Sequence, residues 1–349
     1  MCETEQMVIS VTEAVGTVLS HDITEVNPVS GYKGARFRRG HVVSRADVEK
    51  LMDLGKEHLY VLQINEDQMH ENDAAVMMAE AIAGTNANFK PDPREGKIDI
   101  AAEIGGVLKV NVEALERFNG VGAVMCATRH NNTVVAKGEV VAGTRAIPLV
   151  VDKKPVHDAV AIAEAAGGIV SVLPLRQARV ALVITGNEVF SGRINDAFEP
   201  VVREKVAALG SAVVEVMKCP DDVEQIGAAL ARVRNNRADL VVMTGGMSVD
   251  PDDVTPLAAR AAGADITAYG SAVLPGSMFM VGYFGDGTPV LGVPACGIHH
   301  PRTIFDLILP RVLAGETITS ADIARLGHGG MCLDCPECRY PVCPFGKGC

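Results

Sequence analysis

The stretch Leu240–Thr255 reads LVVMTGGMSVDPDDVT, an apolar run, then a Thr-Gly-Gly turn, then three aspartates and a threonine. Residues 240–243 read as a buried strand, and Val180–Ile184 upstream has the same continuous apolar character. Between them the pattern predicts a helix over 199–209, a strand over 212–217 and a helix over 221–234, with Asp221 or Asp222 near its cap. Strands alternating with helices of this length imply right-handed βαβ units and a mostly parallel sheet covered on both faces. That is a three-layer α/β/α domain. Such sheets bind ligands beyond the carboxyl ends of their strands, where both glycine turns lie.

The first turn is Thr185-Gly186-Asn187-Glu188 and the second is Thr244-Gly245-Gly246-Met247-Ser248. Glycines let the backbone approach a ligand closely. Exposed N–H groups beside the hydroxyls of Thr244 and Ser248 make a phosphate cradle. Asp250, Asp252 and Asp253 follow within four positions. Carboxylates beside a phosphate repel it unless a cation intervenes, so the pattern points to Mg2+. Glu188 and Asp196, in the loop after the first strand, are placed to converge on the same edge. The same residues also fit a plain glycine turn, with Asp252 or Asp253 capping the next helix.

Toward the amino terminus, Ser44 is expected to cap a helix over 45–54 with Asp47 at its third position. A strand at 58–62 and a helix over 72–82 follow, and Asn86–Lys97, NANFKPDPREGK, reads as a loop or boundary. Short runs such as Val121–Ala127 and Thr133–Ala136 indicate a β-rich mixed region, closed by a helix over 153–166. The expected division is an α+β region over 1–84, a β-rich mixed region over 85–177, the α/β domain over 178–316 and a Cys-rich tail over 317–349. Residues 266–285 carry no charge and are numerous enough to cross a bilayer. Pro275, four glycines, two serines and a threonine interrupt them, so they read as buried strands and turns and no membrane is an expected partner.

The 349 residues are 48% hydrophobic and 4% aromatic, with 32 Lys and Arg against 43 Asp and Glu, a formal net charge of −11. The apolar content is enough for cores and argues against disorder. The acidic balance and the absence of Trp leave little to neutralise phosphates or stack bases, so nucleic acid is not an expected partner. Against that background Lys33, Arg36, Arg38, Arg39 and His41 fall within nine positions. They read as an anion-binding loop or as a solvated face. The start, MCETEQMVIS, has no basic-then-apolar leader and nine cysteines cannot all pair, so a reducing cytoplasm is expected.

Four motifs occur in order: TGNE at 185–188, TGGMSVDPDDVT at 244–255, LPGSM at 274–278 and GVPACG at 292–297. Over about residues 179–316 they resemble the molybdenum-cofactor biosynthesis domain shared by molybdopterin adenylyltransferases and molybdopterin molybdenumtransferases. VGTVLSHDI at 15–23 is similar to the start of the molybdenumtransferase amino-terminal region. KGARFRRGHVV (33–43) and LGKEHLYVL (54–62) resemble a variant group described only as molybdopterin-binding.

The resemblance implies a phosphorylated dithiolene pterin, molybdopterin or its adenylate, as ligand. It places Thr185, Gly186, Thr244, Gly245, Gly246, Ser248, Asp250, Pro275, Gly276, Pro294 and Cys296 around that ligand. Asp253 matches the acidic residue of the family's D-x-T element, and Glu188 and Asp196 match acidic cleft positions. These three are the expected catalytic residues, acting with Mg2+ in adenylate hydrolysis, nucleotide release and molybdate insertion by a homodimer.

Three departures stand out. Asp250 replaces a glycine beside the expected phosphate, and Ala295, Cys296 and Gly297 replace Gly-Asn-Pro. NPVSGYKGARF (27–37) stands where the transferases carry a long substrate loop. Two further readings therefore stay open: a non-catalytic carrier that passes the cofactor to an apo-molybdoenzyme, and a nucleotide pyrophosphatase of the competence-damage-inducible type. Cys296, with His299 and His300 nearby, reads as a soft contact to molybdenum or pterin, or as a small buried residue before a helix.

The tail MCLDCPECRYPVCPFGKGC (331–349) spaces Cys332, Cys335, Cys338 and Cys343 as C-x2-C-x2-C-x4-C-P. Four thiolates so close bind metal most naturally, because a cation offsets their repulsion. A tetrahedral zinc site and an iron–sulfur cluster are equal readings, free or oxidised thiols are the third, and His328 offers a substitute ligand, with a further Cys349 at the end.

Overall fold

A computed structural model describes residues 7–27, 32–62, 64–94, 96–248, 250 and 253–348. The chain forms two compact units, one of residues 1–104, 110–129 and 136–172, the other of residues 105–109, 130–135 and 173–349.

In the first unit, strands Met7–Ser10, His58–Leu62 and Val18–Leu19 form a small antiparallel sheet. The helix Arg45–Asp53 starts after Ser44, whose backbone N–H donates to Asp47 at 2.8 Å, as the capping pattern requires. Its Leu51 is buried with Leu19, Ile23, Leu59 and Val61. Helices Glu71–Ile82 and Lys153–Ala165 lie near their expected bounds. One expectation fails. Ala87–Phe89, read as loop, is the edge strand of a four-stranded antiparallel sheet and pairs with Ile100–Ala102. Pro91 and Pro93 dominate that stretch of sequence, but a proline removes a ladder bond only at its own position. Thr133–Ala136 contributes only the two-residue strand Val134–Val135, which belongs to the second unit.

In the second unit, β1 (Arg179–Thr185), β2 (Ala212–Cys219), β3 (Leu240–Thr244), β4 (Ala264–Tyr269), β5 (Met280–Phe284) and β6 (Pro289–Val293) share one sheet, in the order β2-β1-β3-β6-β5-β4. β2, β1, β3 and β6 are parallel, while β5 and β4 run antiparallel at one edge. Helices α1 (Phe198–Ala208), α2 (Val223–Asn235), α3 (Thr255–Ala261) and α4 (Ile304–Leu313) cover it. Alternate strand residues serve opposite layers. Val180, Leu182 and Ile184 pack with Val202 and Val206 of α1 and with Ile304 and Ile308 of α4. Ala181 and Val183 pack with Ile226 and Leu230 of α2 and with Ala258 of α3. Both faces of β1 and β3 are therefore buried, which is why these strands read as unbroken apolar runs. Each such Val or Leu contributes roughly 1.5–3 kcal/mol on burial, so an Asp at Val242 would break the sheet's centre. The uncharged stretch 266–285 supplies most of β4, a turn through Pro275, and β5. Among the described residues no helix is long and apolar enough to cross a membrane.

Candidate functional site

Ile184 pairs with Thr244, and Thr244 with Val293, so the carboxyl ends of β1, β3 and β6 lie level. Beyond them opens a cleft of about 500 Å3, within the roughly 300–1,000 Å3 of small-molecule sites. Thr185, Glu188 and Asp196 line it from the β1 side, and Gly245, Gly246, Ser248 and Asp253 from the loop after β3. Pro294 and Cys296 line it from the turn after β6.

The loop after β3 is built on positions that only glycine fills. Gly245 has φ +84°, and a Cβ there would lie 2.0 Å from the Thr185 carbonyl oxygen. Gly246 has φ +52°, and its Cβ would lie 2.6 Å from Thr255 Oγ1. Thr255 Oγ1 donates to the Gly245 carbonyl at 3.0 Å. That uses its one proton, so in its 2.9 Å contact with Thr185 Oγ1 it accepts. The Tyr269 hydroxyl lies 3.1 Å from the carbonyl oxygens of both Met247 and Ser248 and ties down the far side of the loop. Burial, and then the charge of Asp253, push the Tyr269 phenol up, which keeps it a donor. Thr244 Oγ1 is buried at the end of β3 with no hydrogen-bond partner among the described residues.

Asp253 accepts the Asp250 N–H at 2.9 Å and returns its own N–H to the Asp250 carbonyl at 3.0 Å. Asp250 acts here through its backbone, and its side chain is not in the cleft wall. Asp252 lies outside the described residues. Asp196 lines the cleft while its carboxylate accepts the N–H groups of Phe198 and Glu199, at 3.1 and 2.8 Å, and so starts α1. Pro275 and Gly276 do not line the cleft: a Cβ on Gly276 would lie 2.6 Å from the Ile304 side chain, so this turn packs on α4. Gly186, at φ +140°, and Thr244 likewise sit behind the wall. Cys296 is half-buried and faces the cleft rather than filling the core, and burial raises its thiol pKa. His299 ends the short helical turn Cys296–His299 and does not reach the cleft.

One residue was missed in the sequence. Asp222 caps α2 by accepting the Gln225 N–H at 2.9 Å, which leaves its neighbour for another task. Asp221 accepts the Asn187 N–H at 2.9 Å and donates its own to Asn187 Oδ1 at 3.2 Å, bracing the first glycine turn. A Cβ on Gly246 would lie 3.5 Å from Asp221 Oδ1, so this carboxylate sits against the second turn as well. The signal was the Asp doublet itself, of which only one member can cap.

In the first unit Arg36 pairs with Glu25 at 3.5 Å and His41 with Asp47 at 2.9 Å, while Arg38 and Arg39 border a cavity with Arg145 and Glu71. The Lys33 side chain lies outside the described residues. Cys332, Cys335, Cys338 and Cys343 of the tail line one cavity in the second unit, and Cys349 lies outside the described residues. Among the described residues no three His, Cys, Asp or Glu are arranged to hold a metal ion.

Residues 181–314 match the family model described as a probable molybdopterin binding domain. The match takes in the six-stranded sheet from Ala181 onward and the helices that cover it. Residues 8–63 match a model described as a domain of unknown function. A CinA-like protein from Citrifermentans bemidjiense is 37% identical over 89 residues, 25% of this chain and 21% of that protein. A CinA-like protein from Mycobacterium avium is 35% identical over 78 residues, 22% of this chain and 18% of that protein. The chain thus spans about a fifth of the length of these curated relatives. Among solved structures, the molybdopterin biosynthesis enzyme MoaB from Thermus thermophilus matches with 25% identity and a TM-score of 0.34, covering 40% of this chain and 98% of that one. The molybdopterin biosynthesis MoeA protein from Pyrococcus horikoshii matches with 14% identity and a TM-score of 0.34, covering 89% and 75%. The glycine cradle, the Thr185–Thr255 brace and the Asp253 turn all fall inside the molybdopterin-binding domain's matched residues.

Proposed function

We propose that the cleft holds molybdopterin, or its adenylate, by the phosphate, and that the protein works in molybdenum-cofactor biosynthesis. The Thr244–Ser248 cradle carries this reading. Successive positive-φ glycines expose N–H groups toward an anion, and the cradle lies within the matched domain. Among the described residues the cleft wall contains Glu188, Asp196 and Asp253 but no Lys or Arg. A phosphate bound there therefore needs a cation. Mg2+ fits such a wall, because it is usually held by one or two carboxylates together with substrate phosphates and not by an all-protein cage. Asp253 and Glu188 would hold it, and when bound it would neutralise phosphate oxygens. Asp196 is committed to the start of α1 and orients the wall.

With the adenylate, the cradle fixes the phosphate while water breaks the pyrophosphate bond. AMP leaves, and the phosphorylated pterin accepts molybdate as the second substrate. The homodimer and a metal in the tail, zinc or iron–sulfur, belong to the same proposal; its rival is a non-catalytic carrier that hands the cofactor to an apo-molybdoenzyme. The CinA-like relatives favour a second reading, hydrolysis of the pyrophosphate bond in ordinary nucleotides.

The test is full-length protein with adenylated molybdopterin, Mg2+ and molybdate, with AMP release as the readout. Asp253→Asn should abolish release and leave the fold intact; undiminished turnover removes Asp253 from the mechanism. Pterin held without AMP release favours the carrier, and turnover confined to ordinary nucleotides favours the second reading.

A further inference from the structure

We propose that the first unit carries a second anion site, a basic groove that takes the phosphate or diphosphate group of a small, non-aromatic molecule without a metal ion. Two adjoining cavities, of about 500 and 860 Å3, form the groove, and Arg38, Arg39 and Glu71 line both. Arg145 completes the smaller, and Arg36, Lys50 and Arg94 the larger. Among the described residues the two walls hold six arginines and lysines against three carboxylates, in a chain of net charge −11. The cleft of the second unit has the opposite balance. Arg94 and Arg145 join the Arg36–His41 run only through the fold, so the sequence did not group them.

The turn that carries Arg38 and Arg39 is built rigid. The His41 N–H closes it on the Arg38 carbonyl at 3.1 Å, and the Gly40 N–H donates to the Leu19 carbonyl at 2.8 Å. The Arg39 N–H donates to Asp22 at 2.7 Å. Buried His70 accepts the Asn72 N–H on Nδ1 at 3.1 Å, so its ring proton sits on Nε2, which donates to the Gly40 carbonyl at 2.6 Å. Gly40 has φ +86°, and a Cβ there would lie 2.9 Å from the Leu149 side chain and 3.2 Å from Glu71. The turn therefore rests directly on Glu71, a buried carboxylate that aligns Arg145 at 3.3 Å. All three carboxylates of the walls are engaged: Asp22 with the Arg39 N–H, Asp47 with Ser44 and His41, and Glu71 with Arg145. The surplus charge of the groove is positive.

Guanidinium forks match phosphate oxygens in pairs, and several of them around one space suit a dianion better than a single carboxylate. Each cavity has the volume of a small-molecule site. Among their described residues the walls offer no exposed Phe, Tyr or Trp; Phe37 is buried, with its ring centre 5.1 Å from that of His41. Nothing is left to stack a base, which argues against a nucleotide or nucleic acid as occupant.

The experiment titrates inorganic pyrophosphate into the full chain by calorimetry in the presence of EDTA, so that a metal-dependent phosphate site stays silent. A single saturable site is expected. Arg38→Gln and Arg39→Gln change exposed side chains and should keep the circular dichroism spectrum. Each should weaken binding roughly tenfold or more, the loss of one charge-assisted contact. Lys154→Gln removes an exposed charge elsewhere in the same unit and should leave the affinity unchanged, as should Gly245→Ala. No saturable heat with the parent chain overturns the site. Equal weakening by Lys154→Gln reduces it to net charge and overturns it too. Loss in Gly245→Ala with both arginine variants unaffected places the anion in the cleft instead, and citrate competing as strongly as pyrophosphate overturns the phosphate assignment.

Discussion

Thr185 and Thr255, separated by seventy positions, share a 2.9 Å hydrogen bond that joins the end of β1 to the start of α3. Thr255 also donates to the Gly245 carbonyl, so one hydroxyl fixes both glycine turns. Thr255→Val keeps the shape and removes the bonds. With buried partners left unsatisfied, a loss of roughly 1–3 kcal/mol in urea unfolding is expected, with weaker phosphate-ligand binding. Thr255→Ser should recover most of both. A valine variant that binds as the parent does would show the brace to be dispensable.

Gly245→Ala places a Cβ 2.0 Å from the Thr185 carbonyl oxygen at φ +84°. The left-handed backbone alone costs about 1–2 kcal/mol, and the clash forces the cradle open. Ligand binding should be lost while the circular dichroism spectrum is retained. Gly227 is the control: it lies inside α2 with nothing within 4 Å of a Cβ. Gly227→Ala should stabilise the protein by roughly 0.5–1 kcal/mol and leave binding untouched.

The sheet and the cradle were legible in the sequence because both faces of β1 and β3 are buried and because φ above zero demands glycine. What was hidden depended on which of several equivalent groups won a local competition. Asp222 took the cap and freed Asp221 to brace Asn187, and adjacent identical residues do not announce that choice. Asp196 reads as a cleft acid, yet its carboxylate starts α1. Ala87–Phe89 pairs only through distant Ile100–Ala102, a contact that no local pattern encodes. Cys296 faces the cleft because of the turn after β6, where hydrophobicity alone favoured burial.

Acid should weaken the second unit through Asp322. Burial alone would raise this carboxyl, but hydrogen bonds from Thr319 and Arg311 outweigh it and hold it at about 2, below the ordinary 3.8. A depressed folded-state pKa contributes stability that is complete above about pH 4 and lost as pH falls through the folded value. Urea midpoints measured from pH 7 down to pH 2 should fall in that window. In Asp322→Asn the fall should be shallower from a lower starting stability, and an unchanged slope would remove Asp322 as its source.

Thiol labelling should divide the cysteines. Burial pushes Cys126 up to about 12 and also raises Cys219, so neither offers thiolate at pH 8. Cys335 and Cys338 are exposed. In metal-free protein, iodoacetamide should modify the tail first and reach Cys126 and Cys219 only in denaturant, as peptide mass mapping would record. Early modification of Cys126 would contradict its burial.

The most direct measurement is the small molecule carried by full-length protein from cells that make the cofactor. Oxidative extraction and pterin fluorescence should show a phosphorylated pterin with the parent protein and none with Gly245→Ala, both chains being folded. Equal pterin in both, or none in the parent, would contradict a cradle that holds molybdopterin by its phosphate.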